Sequence, residues 1–225
     1  MSEAQNRYKA DLRELQFLLF EQFGIGDVLG RAPYAAWGRD EVKMVMEECH
    51  RFATEVLGPL NAVGDREKCK LVDGAVKTPT GFKEAWKKLY ASGFRQLSGA
   101  EEFGGQGAPR TLQVVVEEMF SGANVAFMMY PGLSLGAAEL IDHCGTPEQR
   151  KLYSANMYRG RWGGTMCLTE ANAGSDVGAA TTTAKLSDDG SYSIVGTKVF
   201  ISGGDHDCAE NIIHLVLARI EGAEA

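Results

Sequence analysis

Positive charge is what this sequence is short of. Across 225 residues, Lys and Arg number 23 against 30 Asp and Glu, a formal net charge of −7. A chain of that sign has no electrostatic means of holding a phosphate backbone non-specifically, so nucleic-acid binding is not expected. Cysteine is scarce as well. The five present, Cys49, Cys69, Cys144, Cys167 and Cys208, are odd in number and show no C-x-x-C spacing. That argues against a disulfide framework and against a zinc site, and reduced thiols fit a cytoplasmic compartment. Long apolar runs are missing: the best candidate, Val125 to Leu140, is interrupted by Pro131 and several glycines, so no membrane span is expected. Met1 to Lys9 is polar and contains Glu3, lacking both the apolar core of a signal peptide and the acid-poor character of a transit peptide.

What the chain does have is a 44% hydrophobic composition, enough for the core of one ordinary domain or two small ones. Its first two-thirds read as helices. Tyr8 to Phe23 is denser in apolar residues than one stripe needs, as if docked on two sides. Asp40 is expected to cap a helix over Val42 to Val56, stopped by Gly58-Pro59. Further helices are expected over Pro79 to Tyr90 and Thr111 to Ser121. Asn124 to Cys144 reads as a pair of short helices or one broken helix. Pro147 to Met157 follows, with Thr146 as its cap. Near Gly163 the pattern changes to β-branched and alternating runs, predicting strands at 165–168, 179–186, 192–195, 199–202 and 212–219, with a hairpin turn at Asp188-Asp189-Gly190. This order predicts a segregated α+β fold, an all-helical domain over 1–162 followed by a partial antiparallel β-domain over 163–225. Five short strands leave open edges, so the β part reads as unfinished, needing further sequence or a partner chain.

Two segments carry the chemistry. In the first, Met166-Cys167-Leu168-Thr169-Glu170-Ala171-Asn172-Ala173-Gly174-Ser175-Asp176, a strand runs into a turn with two hydroxyls and small residues. Small residues let backbone N–H groups approach a ligand, which suits a flat heterocycle with a pyrophosphate. The plainer reading is an ordinary strand-to-loop turn. The second is Gly196-Thr197-Lys198-Val199-Phe200-Ile201-Ser202-Gly203-Gly204. On a strand, Phe200 and Ser202 point the same way, so an aromatic and a hydroxyl could cover a planar cofactor; a half-buried strand ending in a glycine turn is the simpler alternative. Asp205-His206-Asp207 places three would-be ligands in a row, which reach one ion poorly, so a solvated turn and no metal are expected. Cys167 reads as inert strand packing.

Together these segments resemble the signatures of the acyl-CoA dehydrogenase family. Upstream, Gly81-Phe82-Lys83-Glu84-Ala85-Trp86, Glu101-Glu102-Phe103-Gly104-Gly105-Gln106-Gly107 and Gly145-Thr146-Pro147-Glu148-Gln149-Arg150-Lys151 extend the resemblance over nearly the whole chain. The N-terminal helix and the Gly203-Gly204-Asp205-His206-Asp207 turn are similar to the larger bacterial subgroup that includes methylthiopropanoyl-CoA dehydrogenase. The resemblance implies an N-terminal helical domain, a middle β-domain and a C-terminal helical bundle, of which this chain would lack the last. It implies FAD as cofactor, an acyl-CoA substrate converted to the trans-2-enoyl-CoA in fatty acid metabolism, and an electron-transfer flavoprotein as acceptor. A homo-oligomer or a complementing C-terminal chain would complete the assembly. By position, Met166, Leu168, Thr169, Gly174, Ser175, Phe200, Ile201 and Ser202 would hold the cofactor: Thr169 and Ser202 by hydroxyl, Phe200 as the flanking aromatic, Gly174 and Ser175 near the diphosphate and the CoA arm. Phe127, Met128, Tyr130, Pro131 and Leu135 would floor the acyl pocket together with Ser175 on the substrate side, although plain core is the simpler reading of 127–131. Met166 stands where the family has an aromatic, and Ala171 where it has Pro, which should loosen the turn. The base would be a Glu in the C-terminal part, with no residue here in that role; Glu170 and Asp176 belong to the cofactor turn. An acyl-CoA oxidase-like enzyme and a non-catalytic complementing chain are the alternatives.

Overall fold

The computed structural model describes residues 6–99 and 104–222. Of the family-like motifs, Glu101, Glu102 and Phe103 fall outside that range, as do 1–5 and 223–225. Helix α1, Leu12–Phe17, starts at Asp11, whose carboxylate accepts the Arg13 and Glu14 amides at 2.9 and 3.3 Å. It widens into a π-turn over Leu18–Gln22. Leu15, Leu19 and Phe20 face the core while Phe17 and Phe23 stay exposed, so only one side of this helix is docked among the described residues. Helix α2, Arg39–Phe52, begins one residue before Asp40. Its first turn is closed by the Glu41 carboxylate, which accepts the Gly38 amide at 3.0 Å; Asp40 is thus a first-turn acid favoured by the helix dipole, not the cap.

Gly58-Pro59 does not stop the chain. A second π-turn, Ala53–Leu57, absorbs the change and α3, Gly58–Glu67, follows directly. A proline in a first turn gives up only an N–H that has no helical partner there. The helical part also holds a hairpin: β1, Lys70–Val72, pairs antiparallel with β2, Ala75–Lys77. Asp73 and Gly74 make its turn at φ +50° and +79°, the left-handed pair a two-residue hairpin requires. Helix α4 spans Phe82–Ala91. The two expected helices of the next stretch form α5, Arg110–Cys144, broken at Asn124 (φ −160°, ψ 82°). Pro147 opens α6, Pro147–Gln149, with the Thr146–Gln149 capping box formed. A π-turn then leads to α7, Ala155–Tyr158.

Strands β3, Trp162–Cys167; β4, Thr183–Leu186; β5, Tyr192–Val195; β6, Asn211–Val216; and β7, Arg219–Ile220 complete the described chain. The helix-then-strand order is as expected, but the pairing is mixed. β4 and β5 form the antiparallel hairpin, whereas β3–β6 and β4–β7 are parallel. The long excursion after β3 returns the chain to the end it left, so the next partner must run the same way. The main core joins α1 to α5, extending past the break to Phe127 and Met128, and reaches Cys208. β3 lies directly on the second half of α5: a Cβ on Gly164 would stand 2.8 Å from the Ala137 Cβ and 3.3 Å from the Ser134 Cα. Only glycine lets the strand come this close.

Candidate functional site: the turn after strand β3

The two chemistry-bearing segments meet. Val199 N–H donates to the Thr169 carbonyl at 2.9 Å, and the Lys198 ammonium donates to the Leu168 carbonyl at 2.9 Å. The same ammonium lies 2.9 Å from the Glu170 carboxylate, both side chains nearly buried at 9% and 3% exposure. Glu170 further accepts from the Thr181 hydroxyl and amide, each at 2.7 Å, and from the Thr182 amide at 2.9 Å. Its carboxyl is held far below the ordinary carboxylate value by hydrogen bonds from Thr182, from the Lys198 ammonium and from Thr181. A carboxylate so committed is a structural anion, not a base. It is the pin on which three loops close.

The turn itself is tight despite Ala171. Glu170 and Ala173 exchange both backbone hydrogen bonds, at 2.8 and 3.2 Å, and the Asn172 side chain donates to the Ala179 carbonyl at 3.0 Å. The loosening expected from the missing proline is not seen. Nor is 199–202 a strand: Phe200 adopts φ +59°. Lys198 and Val199 are held by the first segment, and Gly203 (φ +65°) turns the chain immediately afterwards. These local ties outweigh the β-propensity of Val-Phe-Ile, so the alternation argument for Phe200 and Ser202 does not apply. The outcome is a lip. Phe200 is 92% exposed, Thr169, Ile201 and Ser202 are half-buried, and Gly174 and Ser175 are exposed. A Cβ on Gly174 would meet nothing within 4 Å.

Met166 and Leu168 face a groove of about 740 Å³ whose other walls include Leu140, Ile141, Leu215 and Leu217. The residues expected to floor an acyl pocket divide. Phe127, Met128 and Pro131 are buried, Tyr130 and Leu135 half-buried. The Phe127 ring stands edge-on to Phe82 at 5.4 Å between centroids.

Asp205-His206-Asp207 is not a solvated turn. His206 is buried between Trp86 and Tyr130, with centroids 5.6 and 5.0 Å away, and its Nδ1 accepts the Cys208 amide at 3.2 Å. Asp207 accepts the Thr78 amide and hydroxyl at 3.0 and 2.7 Å. The turn locks the β1–β2 hairpin to the strand region. Burial holds the His206 pKa below its ordinary 6.5, against the upward pull of Asp205 and Asp207. Sequence reasoning also passed over Lys198 and the Thr181-Thr182 pair. Their signal was an isolated Lys between β-formers, beside a motif acid that needed a partner.

A family model described as Acyl-CoA dehydrogenase, N-terminal domain, matches residues 39–161. The chain belongs to the acyl-CoA dehydrogenase family. A 3-methylmercaptopropionyl-CoA dehydrogenase of Ruegeria pomeroyi is 37% identical over 216 residues, covering 96% of this chain and 37% of its own length. A broad-specificity linear acyl-CoA dehydrogenase of Mycobacterium tuberculosis is 38% identical over 222 residues, 97% of this chain and 36% of its own. Among solved structures, an acyl-CoA dehydrogenase complexed with FAD from Bacillus anthracis superposes with a TM-score of 0.66 at 27% identity, over 82% of this chain and 30% of that one. The chain therefore spans little more than a third of the curated acyl-CoA dehydrogenases it matches. Among the described residues, no helix is long and apolar enough to cross a membrane.

Proposed function

We propose that this chain forms the N-terminal helical and flavin-holding portion of an FAD-dependent acyl-CoA dehydrogenase. The observation that carries the reading is the lip after β3, where a left-handed, uncovered Phe200 stands beside the Thr169 and Ser202 hydroxyls. A bulky residue at positive φ is strained, and an exposed aromatic forgoes burial; such a combination suits a surface that a ligand covers. The residues fit FAD. Phe200 would flank the ring, the Thr169 and Ser202 hydroxyls would bond its polar edge, and the open backbone at Gly174 and Ser175 would leave room for a diphosphate. When bound, FAD supplies the acceptor for a hydride from the acyl β-carbon. Thr169 and Ser202 would place donors where negative charge gathers, and the Glu170–Lys198 pair would keep them there without reorganisation. Phe127, Met128, Tyr130, Pro131 and Leu135 would bound the acyl chain.

A C-terminal helical part of the kind implied by the resemblance would supply the base, and an electron-transfer flavoprotein would take the electrons. Residues 1–162 and 163–225 would act as two domains of one subunit in an oligomer. The test is anaerobic. The protein, completed by that C-terminal part, is mixed with FAD and saturated acyl-CoA esters of varied length. Bleaching of the flavin with formation of 2-enoyl-CoA by mass spectrometry is expected; no enoyl-CoA from any ester overturns the reading.

A further inference from the structure

Asn124 is the residue at which α5 stops being one helix. It is 1% exposed and holds φ −160°, ψ 82° inside an otherwise helical run. Its Oδ1 accepts the Phe127 amide at 3.0 Å, the i to i+3 bond of a helix N-cap. Its Nδ2 donates to the Leu57 carbonyl at 3.3 Å, at the end of the π-turn before α3. A second asparagine uses the same bulge: the Asn6 side chain donates to the Thr54 carbonyl. A widened turn releases carbonyls from the regular i to i+4 ladder, and here two side-chain amides take them. The break is therefore built, with both ends of one amide committed and the second half of α5 referenced to α3.

That second half carries Phe127, Met128, Pro131 and Leu135. It also grips the cofactor strand: Ser134 Oγ accepts the Gly164 amide at 2.9 Å, in the close contact that only glycine permits. One rigid piece thus joins the acyl-pocket residues to the strand that leads into Thr169. Its direction is set at its N-terminal end by Asn124.

We propose that Asn124 is a positioning residue for acyl-chain selection: by re-capping α5 against the Leu57 carbonyl it sets how the pocket floor stands relative to β3. The proposal rests on the dehydrogenase reading, because it takes 127–135 as pocket floor. It makes Asn124, which touches neither substrate nor cofactor, a determinant of chain length.

The experiment measures acyl-CoA affinity by calorimetry over a chain-length series, using the complete FAD-loaded protein and Asn124 variants. Amide exchange at Phe127 is followed in parallel. Asn124→Ala removes both bonds. It should speed exchange at Phe127, move the length optimum and weaken the wild-type optimum about ten-fold, the worth of a methylene lost from an apolar pocket. Asn124→Ser keeps an acceptor for the Phe127 amide but loses the donor to the Leu57 carbonyl, so exchange at Phe127 should stay slow while the length optimum still moves. A purely structural role predicts lower melting temperatures with the length profile unmoved in every variant, and that result overturns the proposal. Should Asn124→Ala fail to fold, Asn124→Ser and Asn124→Asp decide. Both retain the cap acceptor and lose the Leu57 donor, and an optimum unmoved in both overturns the idea. A wild-type protein that binds no acyl-CoA of any length brings down the dehydrogenase reading and this proposal with it. A clear wild-type optimum that survives Asn124→Ala removes this proposal alone.

Discussion

In Thr169 two groups do separate work. The carbonyl is tied to the Val199 amide, while the hydroxyl is the group proposed to meet the cofactor. Thr169→Ala therefore removes the hydroxyl and leaves the cross-link in place. Ser202→Ala is its counterpart on the second segment. Each should lower FAD retention by roughly 1.5–3 kcal/mol, the range for a hydrogen bond to a charged or charging group, with melting temperature little changed. Flavin content per chain after gel filtration is the readout, and full FAD content in both variants would reject the assignment. His206 gives a second residue-scale prediction. Burial lowers its pKa from 6.5, so the fold favours the neutral ring. The stability it contributes is complete above its unfolded value and is lost as pH falls through 6.5 toward the folded value. The protein should melt lower near pH 5.5 than near pH 7.5, roughly one unit either side of an ordinary histidine. His206→Gln, which keeps an acceptor for the Cys208 amide, should flatten that difference. An equally steep pH dependence in the variant would assign it elsewhere.

At the scale of elements, helix α5 and strand β3 make the decisive contact. A Cβ on Gly164 would stand 2.5 Å from the Met157 Cε and 2.8 Å from the Ala137 Cβ. The first can swing away; the second is fixed on the helix. Gly164→Ala should cost about 1–3 kcal/mol of stability, as overpacking does, and a denaturation curve matching the wild type would show that the two elements can separate freely. Phe127 is 0% exposed, so Phe127→Ala should cost about 3–5 kcal/mol. If it also floors the pocket, relative affinities along an acyl-chain series should shift; a lowered melting point with an unaltered series would leave it as core alone. Much of this scale was legible in the residues. Thr146 and Gln149 announce their capping box because the two partners are only three residues apart. The Asp73-Gly74 hairpin was equally local, yet it was hidden by the helical pattern on either side. The bend at 199–202 was not legible, since Lys198 owes its place to Glu170, an acid 28 residues earlier. Asp205-His206-Asp207 misleads for the same reason: three polar letters look solvated until Thr78, Trp86 and Tyr130 close over them.

For the whole molecule, the segregation of helices before strands follows from the change of hydrophobic period near Gly163. The direction of strand pairing does not, because periodicity carries no sign. Glu170, the buried acid of the turn after β3, is spent on structure. We therefore expect the 225-residue chain expressed alone to give no enoyl-CoA, even with FAD and an artificial electron acceptor. Turnover by a sample shown pure by mass spectrometry would mean that a carboxylate within this chain serves as base.

The parallel pairing of β3 with β6 has a kinetic consequence. Thr165 and His214 meet across 49 residues, whereas the helices and the two hairpins are stitched by near neighbours. Closing so long a loop is entropically slow, and non-local strand pairs form after local ones. The segment between them contains both the turn after β3 and the bend at Phe200. During synthesis, then, the surface proposed to receive the flavin ring should be the last part of this chain to acquire its shape, and a protease added early in refolding should find it first.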